Sequence, residues 1–351
     1  MKKILFEVPD RVYYKLLKQK ELDGFEDKEW AEWAGNMVKN VELEKTLNQK
    51  IRAGTKGLVP MWMKNFADNI ELTRNGKTLR ALMVDEITEP PGDKAVVIGR
   101  GPSLFRKKHL ELLKKSNFDG VIVATDGILI DCLKQGIIPD YAVCVDGSPV
   151  IMKWFDDPLV DSHAKQIKIL LNAQVNHRVA ERIEEQGFDI YWFEPALDVV
   201  DRETSITRML ILMTCSDINP KGLVAQECGG NVGATSWGFS WNVLKRSNVA
   251  MIGFDYGYPE DMPLEETYYY NKTVENVGSL QACTFYEKVW HPFFKTVSHI
   301  DPAFKSYREN MMDLLTSKPA WQRTVNCTEG GCIFHPSLEY MYFADWLGER
   351  G

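Results

Sequence analysis

No stretch of the 351-residue chain approaches the roughly 18 consecutive apolar residues that cross a bilayer, which excludes a membrane-spanning helix. Cysteine is scarce and unpaired in pattern. The seven present are scattered and contain no Cys-x-x-Cys, which argues against a disulfide framework and suits reduced thiols. Cys327 and Cys332 are the closest pair, but no histidine stands at zinc-finger spacing from them, so no metal site is expected there. Basic charge is short as well: 42 Lys and Arg face 49 Asp and Glu, for a net charge of −7, so nucleic acid is not an expected partner. Internal repeats and low-complexity tracts are missing. The opening Met1-Lys2-Lys3 is basic, yet the apolar stretch behind it is too short for a signal peptide, so a cytoplasmic location is expected. With 44% hydrophobic and 26% charged residues, the balance is that of a globular protein with a sizeable core.

Residues 1–90 read as a mostly helical cap or accessory region. Trp30, Trp33, Met37 and Val41 recur at helical spacing, and Gly54 and Gly57 interrupt the pattern. Composition changes at Glu89-Pro90-Pro91-Gly92-Asp93, the clearest boundary in the chain. Short apolar runs then alternate with helical patterns. Strands are predicted at Ala95–Ile98, Val121–Ala124, Tyr141–Val145, Ile167–Leu171, Asp189–Phe193 and Val249–Phe254, and helices at 106–115, 127–135, 175–186 and 234–246. This alternation predicts an α/β fold: a Rossmann-like, mostly parallel sheet with helices on both faces, spanning 91–257. Residues 258–325, rich in aromatics such as Tyr268, Tyr269, Tyr270, Trp290, Phe293 and Phe294, read as an irregular lid-like insert for an acceptor, and 326–351 as a return to the core.

Parallel strands put their carboxyl ends on one edge, where ligands of such folds bind. The first predicted strand ends in Gly99-Arg100-Gly101-Pro102-Ser103-Leu104, glycines leading into a helix that Ser103 would cap. Glycine permits close backbone approach, and free amides at a helix start attract phosphate. The third glycine of the dinucleotide fingerprint is missing, and so is the Gly-Lys-Ser/Thr of a P-loop. Thr125 and Asp126 follow the next strand and Asp146 the one after, whereas Asp140 lies before its strand and reads as structural. Each acid suits a ribose, base or metal ion, or simply a turn. A second glycine loop, Gly229-Gly230-Asn231-Val232-Gly233-Ala234-Thr235-Ser236, opens a helix and would hold an anionic group. The strand after it ends in Asp255-Tyr256-Gly257-Tyr258.

This series resembles the 6-hydroxymethylpterin diphosphokinase-like (MptE-like) family, which includes the motility accessory factor glycosyltransferases. The carriers are Gly99-x-Gly-Pro-Ser-Leu, Gly136–Asp146, the Gly229 loop, Met251–Asp255 and Asn326-Cys-Thr-Glu-Gly-Gly331, over roughly residues 90–345. The last motif is similar to the accessory-factor branch. Cys144-Val145-Asp146-Gly147 has one acid where the diphosphokinase branch has two, and Ala234-Thr235-Ser236-Trp237 replaces that branch's charged run. The Gly-Pro-Ser-Leu turn, Thr235-Ser236 and Ile252–Asp255 are also similar to bacterial sialyltransferases that use a cytidine-monophosphate sugar.

The resemblance implies a transferase that uses a nucleotide-activated sugar, with no tightly bound cofactor. Gly99, Gly101, Pro102, Ser103, Gly230, Asn231, Gly233, Thr235 and Ser236 would hold the donor's anionic groups, with Thr125, Asp126, Asp146, Asp255 and Glu329 completing its site. Tyr256 and Tyr258 would donate to the leaving group, and His291, or less favourably His299, would be the base. The alternative is magnesium- and ATP-dependent diphosphate transfer to a pterin alcohol, with Asp126 and Asp146 on the metal. A non-catalytic nucleotide-binding or assembly protein is the third reading, for which the aromatic insert would serve as an interface, including one between copies of the chain.

Overall fold

The computed structural model describes residues 57–83, 94–201, 204–277 and 282–349. Trp30, Trp33, Met37, Val41 and the boundary at 89–93 lie outside the described residues.

The strands are β1 (Lys77–Thr78), β2 (Lys94–Ile98), β3 (Val121–Thr125), β4 (Tyr141–Cys144), β5 (Lys168–Asn172), β6 (Asp189–Pro195), β7 (Ala225–Gln226), β8 (Asn248–Ile252), β9 (Tyr258–Pro259), β10 (Glu287–His291), β11 (Thr296–Ile300), β12 (Arg323–Asn326) and β13 (Leu338–Tyr340). The helices are α1 (57–75), α2 (Pro102–Arg106), α3 (His109–Ser116), α4 (Leu129–Lys134), α5 (Pro158–His163), α6 (His177–Gln186), α7 (Ile206–Met213), α8 (Val232–Asn242), α9 (Tyr270–Val277), α10 (Pro302–Ser317) and α11 (Phe343–Gly348). One ten-stranded sheet runs β1-β6-β5-β4-β3-β2-β8-β12-β13, with β7 paired to the end of β6. Every pairing in it is parallel. From β2 the chain steps outward through β3, β4, β5 and β6, then returns to the other flank of β2 as β8. The order therefore reverses between β2 and β8, and the crevice at such a reversal is where doubly wound sheets bind ligands.

The strands are apolar on both faces because both faces are covered. Ala95, Val97, Val249 and Met251 pack beneath α8, while Val96, Ile98, Ala250 and Ile252 pack against Leu110 and Leu113 of α3 and Phe343 and Trp346 of α11. Toward β5 and β6, Ala142, Ile169 and Leu171 join Phe66 of α1 and Val179 and Ile183 of α6. Residues 57–83 are thus built into the main body. Asn65 of α1 donates to the carbonyls of Gly147 and Gln174, and Asn69 to those of Ala173 and Val175, at 2.8–3.0 Å.

The predicted helix at 106–115 is split: Lys108 takes φ 55°, and α2 and α3 form on either side of it. The region 258–325 is more regular than expected. β9, β10 and β11 make a separate antiparallel sheet, and Met311 and Leu315 of α10 enter the core under α8. The polar look of α8 (Val-Gly-Ala-Thr-Ser-Trp-Gly-Phe-Ser-Trp-Asn) conceals a buried helix. Ser236 and Ser240 donate to the carbonyls four residues earlier, both at 2.8 Å, which lets hydroxyls enter an apolar layer. Trp237, 1% exposed, anchors that layer and donates its indole N–H to Thr324 of β12 at 3.0 Å. Trp237→Ala should therefore cost about 3–5 kcal/mol, read as a lowered midpoint in urea unfolding with an unchanged far-ultraviolet spectrum.

Candidate functional site

At the reversal point the chain's own loops meet first. The Gly99 amide donates to Ile252 O and the Gly101 amide to Gly253 O, both at 2.9 Å. A Cβ on Gly99 would stand 2.6 Å from Gly253 O, and one on Gly101 would stand 1.9 Å from Asp255 Oδ2. These glycines are required by the approach of one strand end to the other, and their amides are taken. That corrects the expectation that Gly99 and Gly101 present free amides to phosphate. Ser103 is corrected too. Gly101 is the N-cap of α2 with Pro102 at the first helical position, and Ser103 instead donates its amide to Asp255 Oδ1 at 3.1 Å and its hydroxyl to Oδ2 at 2.7 Å. Asp255 thus supplies the helix cap from a distant part of the chain. Burial pushes its carboxyl up to about 7, against the pull of the Ser103 bonds.

Two further loops close on the same segment. Cys332 donates its amide to Asp255 O at 2.7 Å, and Gly331, at φ 79°, leaves room for that carbonyl. Tyr256 donates its hydroxyl to Asn231 Oδ1 at 3.0 Å, the oxygen that also caps α8 through the Ala234 amide at 3.0 Å. Gly233 abuts the Phe254 ring, and Gly230, at φ 77°, turns the chain into α8.

Beside this junction lies an open stretch of rim. Gly127 follows β3, and a Cβ there would stand 3.3 Å from Arg100 Cδ and 3.8 Å from Trp154 Cε2. Arg100 follows β2, and Trp154 ends the turn of helix after β4, so three neighbouring strand ends touch. The Arg100 guanidinium lies 4.6 Å from the Trp154 ring centroid. Thr125 and Asp126 are buried below, and Asp146 is exposed. Asp126 accepts the Gly127 amide at 2.7 Å, while Asp146 accepts the Ser148 amide at 2.8 Å as a turn residue. Burial first, and the charge of Asp146 as a smaller contribution, push the Asp126 carboxyl up to about 7. Farther along, Glu194 at the end of β6 is fully buried and accepts from Gln174 through Oε1, and its carboxyl is pushed by burial up to about 8. Among the described residues, no group of three or more His, Cys, Asp or Glu is placed to hold a metal ion.

Several expected site residues lie elsewhere. Thr235 and Ser236 are wholly buried, and their hydroxyls serve carbonyls of the Gly229 loop and α8. Tyr256 and Tyr258 are buried donors to Asn231 and Asp301, so their protons are not offered to a leaving group. His291 is 0% exposed among Phe294, Phe334 and Tyr340; its Nε2 bonds Ile333 O at 3.1 Å and its Nδ1 accepts the Phe294 amide at 3.2 Å. Burial lowers its pKa, and both ring nitrogens are engaged inside the protein. His299, on the central strand β11 of the antiparallel sheet, bonds Glu260 O. Glu329 accepts from His109 at 3.2 Å and from the Phe343 amide at 3.0 Å, sealing α3 to α11. Burial raises its carboxyl, but the His109 bond and the Phe343 amide outweigh that and hold it below the usual range. Arg100, Trp154 and Glu194 were missed by sequence reasoning; a large cation between two turn glycines was the one available signal.

Residues 62–261, more than half of the chain, match the family described as 6-hydroxymethylpterin diphosphokinase MptE-like. The chain belongs to this family. The fold of this MptE-like protein is also that of a MAf glycosyltransferase from Magnetospirillum magneticum AMB-1, with a TM-score of 0.54 and 14% identity over 81% of this chain. The match covers 38% of that longer protein, so the chain spans little more than a third of its length. No curated protein matches the chain.

Asp255 sets a pH dependence. A carboxyl whose folded pKa stands above its unfolded value stabilises fully below the unfolded pKa, and that contribution is lost as pH rises through the folded one. For Asp255 the window runs from about 4 to about 7. Asp255→Asn keeps a neutral partner for Ser103, so its stability relative to wild type should rise by on the order of 2–4 kcal/mol across that window, measured by urea unfolding at pH 4.5 and 8. A constant difference would show that the wild-type group is ionised throughout.

Proposed function

We propose that the rim formed by the ends of β2, β3 and β4 binds a nucleotide-activated donor and that the protein transfers the activated group, most simply a sugar, to an acceptor. The contact of Arg100, Gly127 and Trp154 beside buried Asp126, next to the sheet's reversal point between β2 and β8, carries this reading. Such a transfer needs countercharge for the departing phosphate and a group that takes the acceptor's proton. Arg100 supplies the first. Asp126, pushed up to about 7, changes protonation near neutral pH and replaces His291 as the proton acceptor. The expected use of a cytidine-monophosphate donor belongs to this reading.

A second reading rests on Asp126 and Asp146. The charge of Asp146 is felt at Asp126, and two carboxylates plus donor phosphates are a usual magnesium set, so the pair fits a metal brought by ATP for diphosphate transfer to a pterin alcohol.

Thermal shift against CMP, CDP, UDP, GDP and ATP, each with and without magnesium, separates the two. A ligand at a hundredfold excess over its Kd should stabilise by about 2.7 kcal/mol. Metal-independent binding of a cytidine nucleotide supports sugar transfer, and magnesium-dependent ATP binding supports the kinase. Binding of none of the five would sink both. With an active donor–acceptor pair, Asp126→Asn should lower turnover by roughly 10²–10⁴ while donor affinity holds, and the wild-type rate should rise with pH through about 7.

A further inference from the structure

We infer that Arg100 and Lys153, both drawn onto the indole of Trp154, form the site that receives the donor's oxyanion; this rests on the nucleotide reading above and assigns the task to side chains in place of loop amides. The first support is by subtraction. The amides of Gly99, Gly101 and Ser103 are all taken by the strand end at Ile252–Asp255, and Pro102 has none, so little of that loop's backbone is left for an anion.

The second support is a concentration of positive charge. Arg100 Cζ lies 4.6 Å and Lys153 Nζ 4.5 Å from the centroid of the same ring. The ring attracts each exposed cation by about 0.5–1 kcal/mol, and an oxyanion that reached both would supply the opposite charge that the ring lacks. Asp131 is the acid nearest Arg100, at 3.6 Å from Nε, too long for a good hydrogen bond, while Asp126 and Asp146 lie on the neighbouring strand ends. Among the described residues Arg100 makes no hydrogen bond and one long ion pair, from Nε to Asp131, and Lys153 makes no ion pair, so a bidentate oxyanion would compete only with Asp131 for the guanidinium fork.

The third support is the floor. Gly127 lets the Arg100 stem lie flat over the end of β3, 3.3 Å from where a Cβ would be. Arg100 is about half exposed, so a ligand reaches it without any movement of the chain.

The experiment is isothermal titration of the full chain with inorganic pyrophosphate, CMP and N-acetylneuraminate, at low and high salt, on wild type and on Arg100→Ala, Arg100→Lys, Lys153→Ala and the remote control Lys221→Ala. Pyrophosphate and CMP should bind the wild type, more weakly in high salt. Arg100→Ala should lose roughly tenfold or more, Arg100→Lys should recover part of that through charge alone, and Lys153→Ala should lose roughly threefold, with Lys221→Ala unchanged and all melting temperatures close to wild type. N-acetylneuraminate binding that depends on Arg100, without pyrophosphate binding, would assign the oxyanion to the sugar carboxylate. Nucleotide binding of equal strength in Arg100→Ala overturns the inference and leaves the nucleotide reading standing. Arg100-dependent pyrophosphate binding with no nucleotide bound does the opposite, and a wild type that binds none of the three probes overturns both.

Discussion

Everything at the carboxyl edge depends on how closely the ends of β2 and β8 approach each other. Gly99 and Gly253 face one another so tightly that a Cβ on either would strike the other's carbonyl at 2.5–2.6 Å. The approach brings the Asp255 carboxylate onto the start of α2, where it accepts from both donors of Ser103. That placement costs a buried carboxyl, one raised to about 7, and the cost is offset by ordering three loops at once. Asp255 O receives the turn after β12, and the next residue, Tyr256, reaches the cap of α8. The junction is an abutment of loops, and the contact of Arg100 with Gly127 and Trp154 lies beside it, over the end of β3.

This explains what was readable in advance and what was not. The strands at 95–98, 121–124, 141–145, 167–171, 189–193 and 249–254 were legible because two-sided burial writes continuous apolar runs, and the parallel sheet followed from their alternation with helices. The short pairs β1 and β7 carried no such run, nor did the antiparallel sheet of β9, β10 and β11, whose strands include charged and polar residues. The glycine motifs were correctly placed at strand ends, where Gly99 and Gly101 serve the approach of the end of β2 to that of β8. A glycine that makes room for a ligand and one that makes room for another strand look alike in a sequence. Likewise, Thr235 and Ser236 could not be distinguished from ligand donors until α8 was seen to be buried all round.

Histidine misled for a related reason. His291 sits where the sialyltransferase resemblance implies a base, yet its two nitrogens complete the bonding of Ile333 O and the Phe294 amide within an aromatic cluster. A neutral imidazole offers one donor and one acceptor, which suits a buried turn needing one of each. The groups poised to exchange protons near neutrality are carboxyls: Asp126 at the open rim, Asp255 in the junction, Glu194 at the far end. Burial poises all three, but Asp255 is engaged by both donors of Ser103 and Glu194 lies beyond the contact of Arg100 with Trp154, which leaves Asp126 as the candidate beside an anion.

The division of labour between backbone and side chain has a consequence for specificity. Loop amides at a helix start hold phosphate with fixed geometry, and many folds share that arrangement whatever their substrate. Here the corresponding amides hold the protein together, so in the proposed site the charge that meets a donor comes from Arg100 and Lys153, whose fork and ammonium differ in reach and in hydrogen-bond geometry. Such a site can be retuned from monophosphate to diphosphate or carboxylate by exchanging one exposed side chain without disturbing the junction. Membership of the family therefore fixes the scaffold, while in the proposed site the residue between Gly99 and Gly101 is where donor choice can change at little cost to stability.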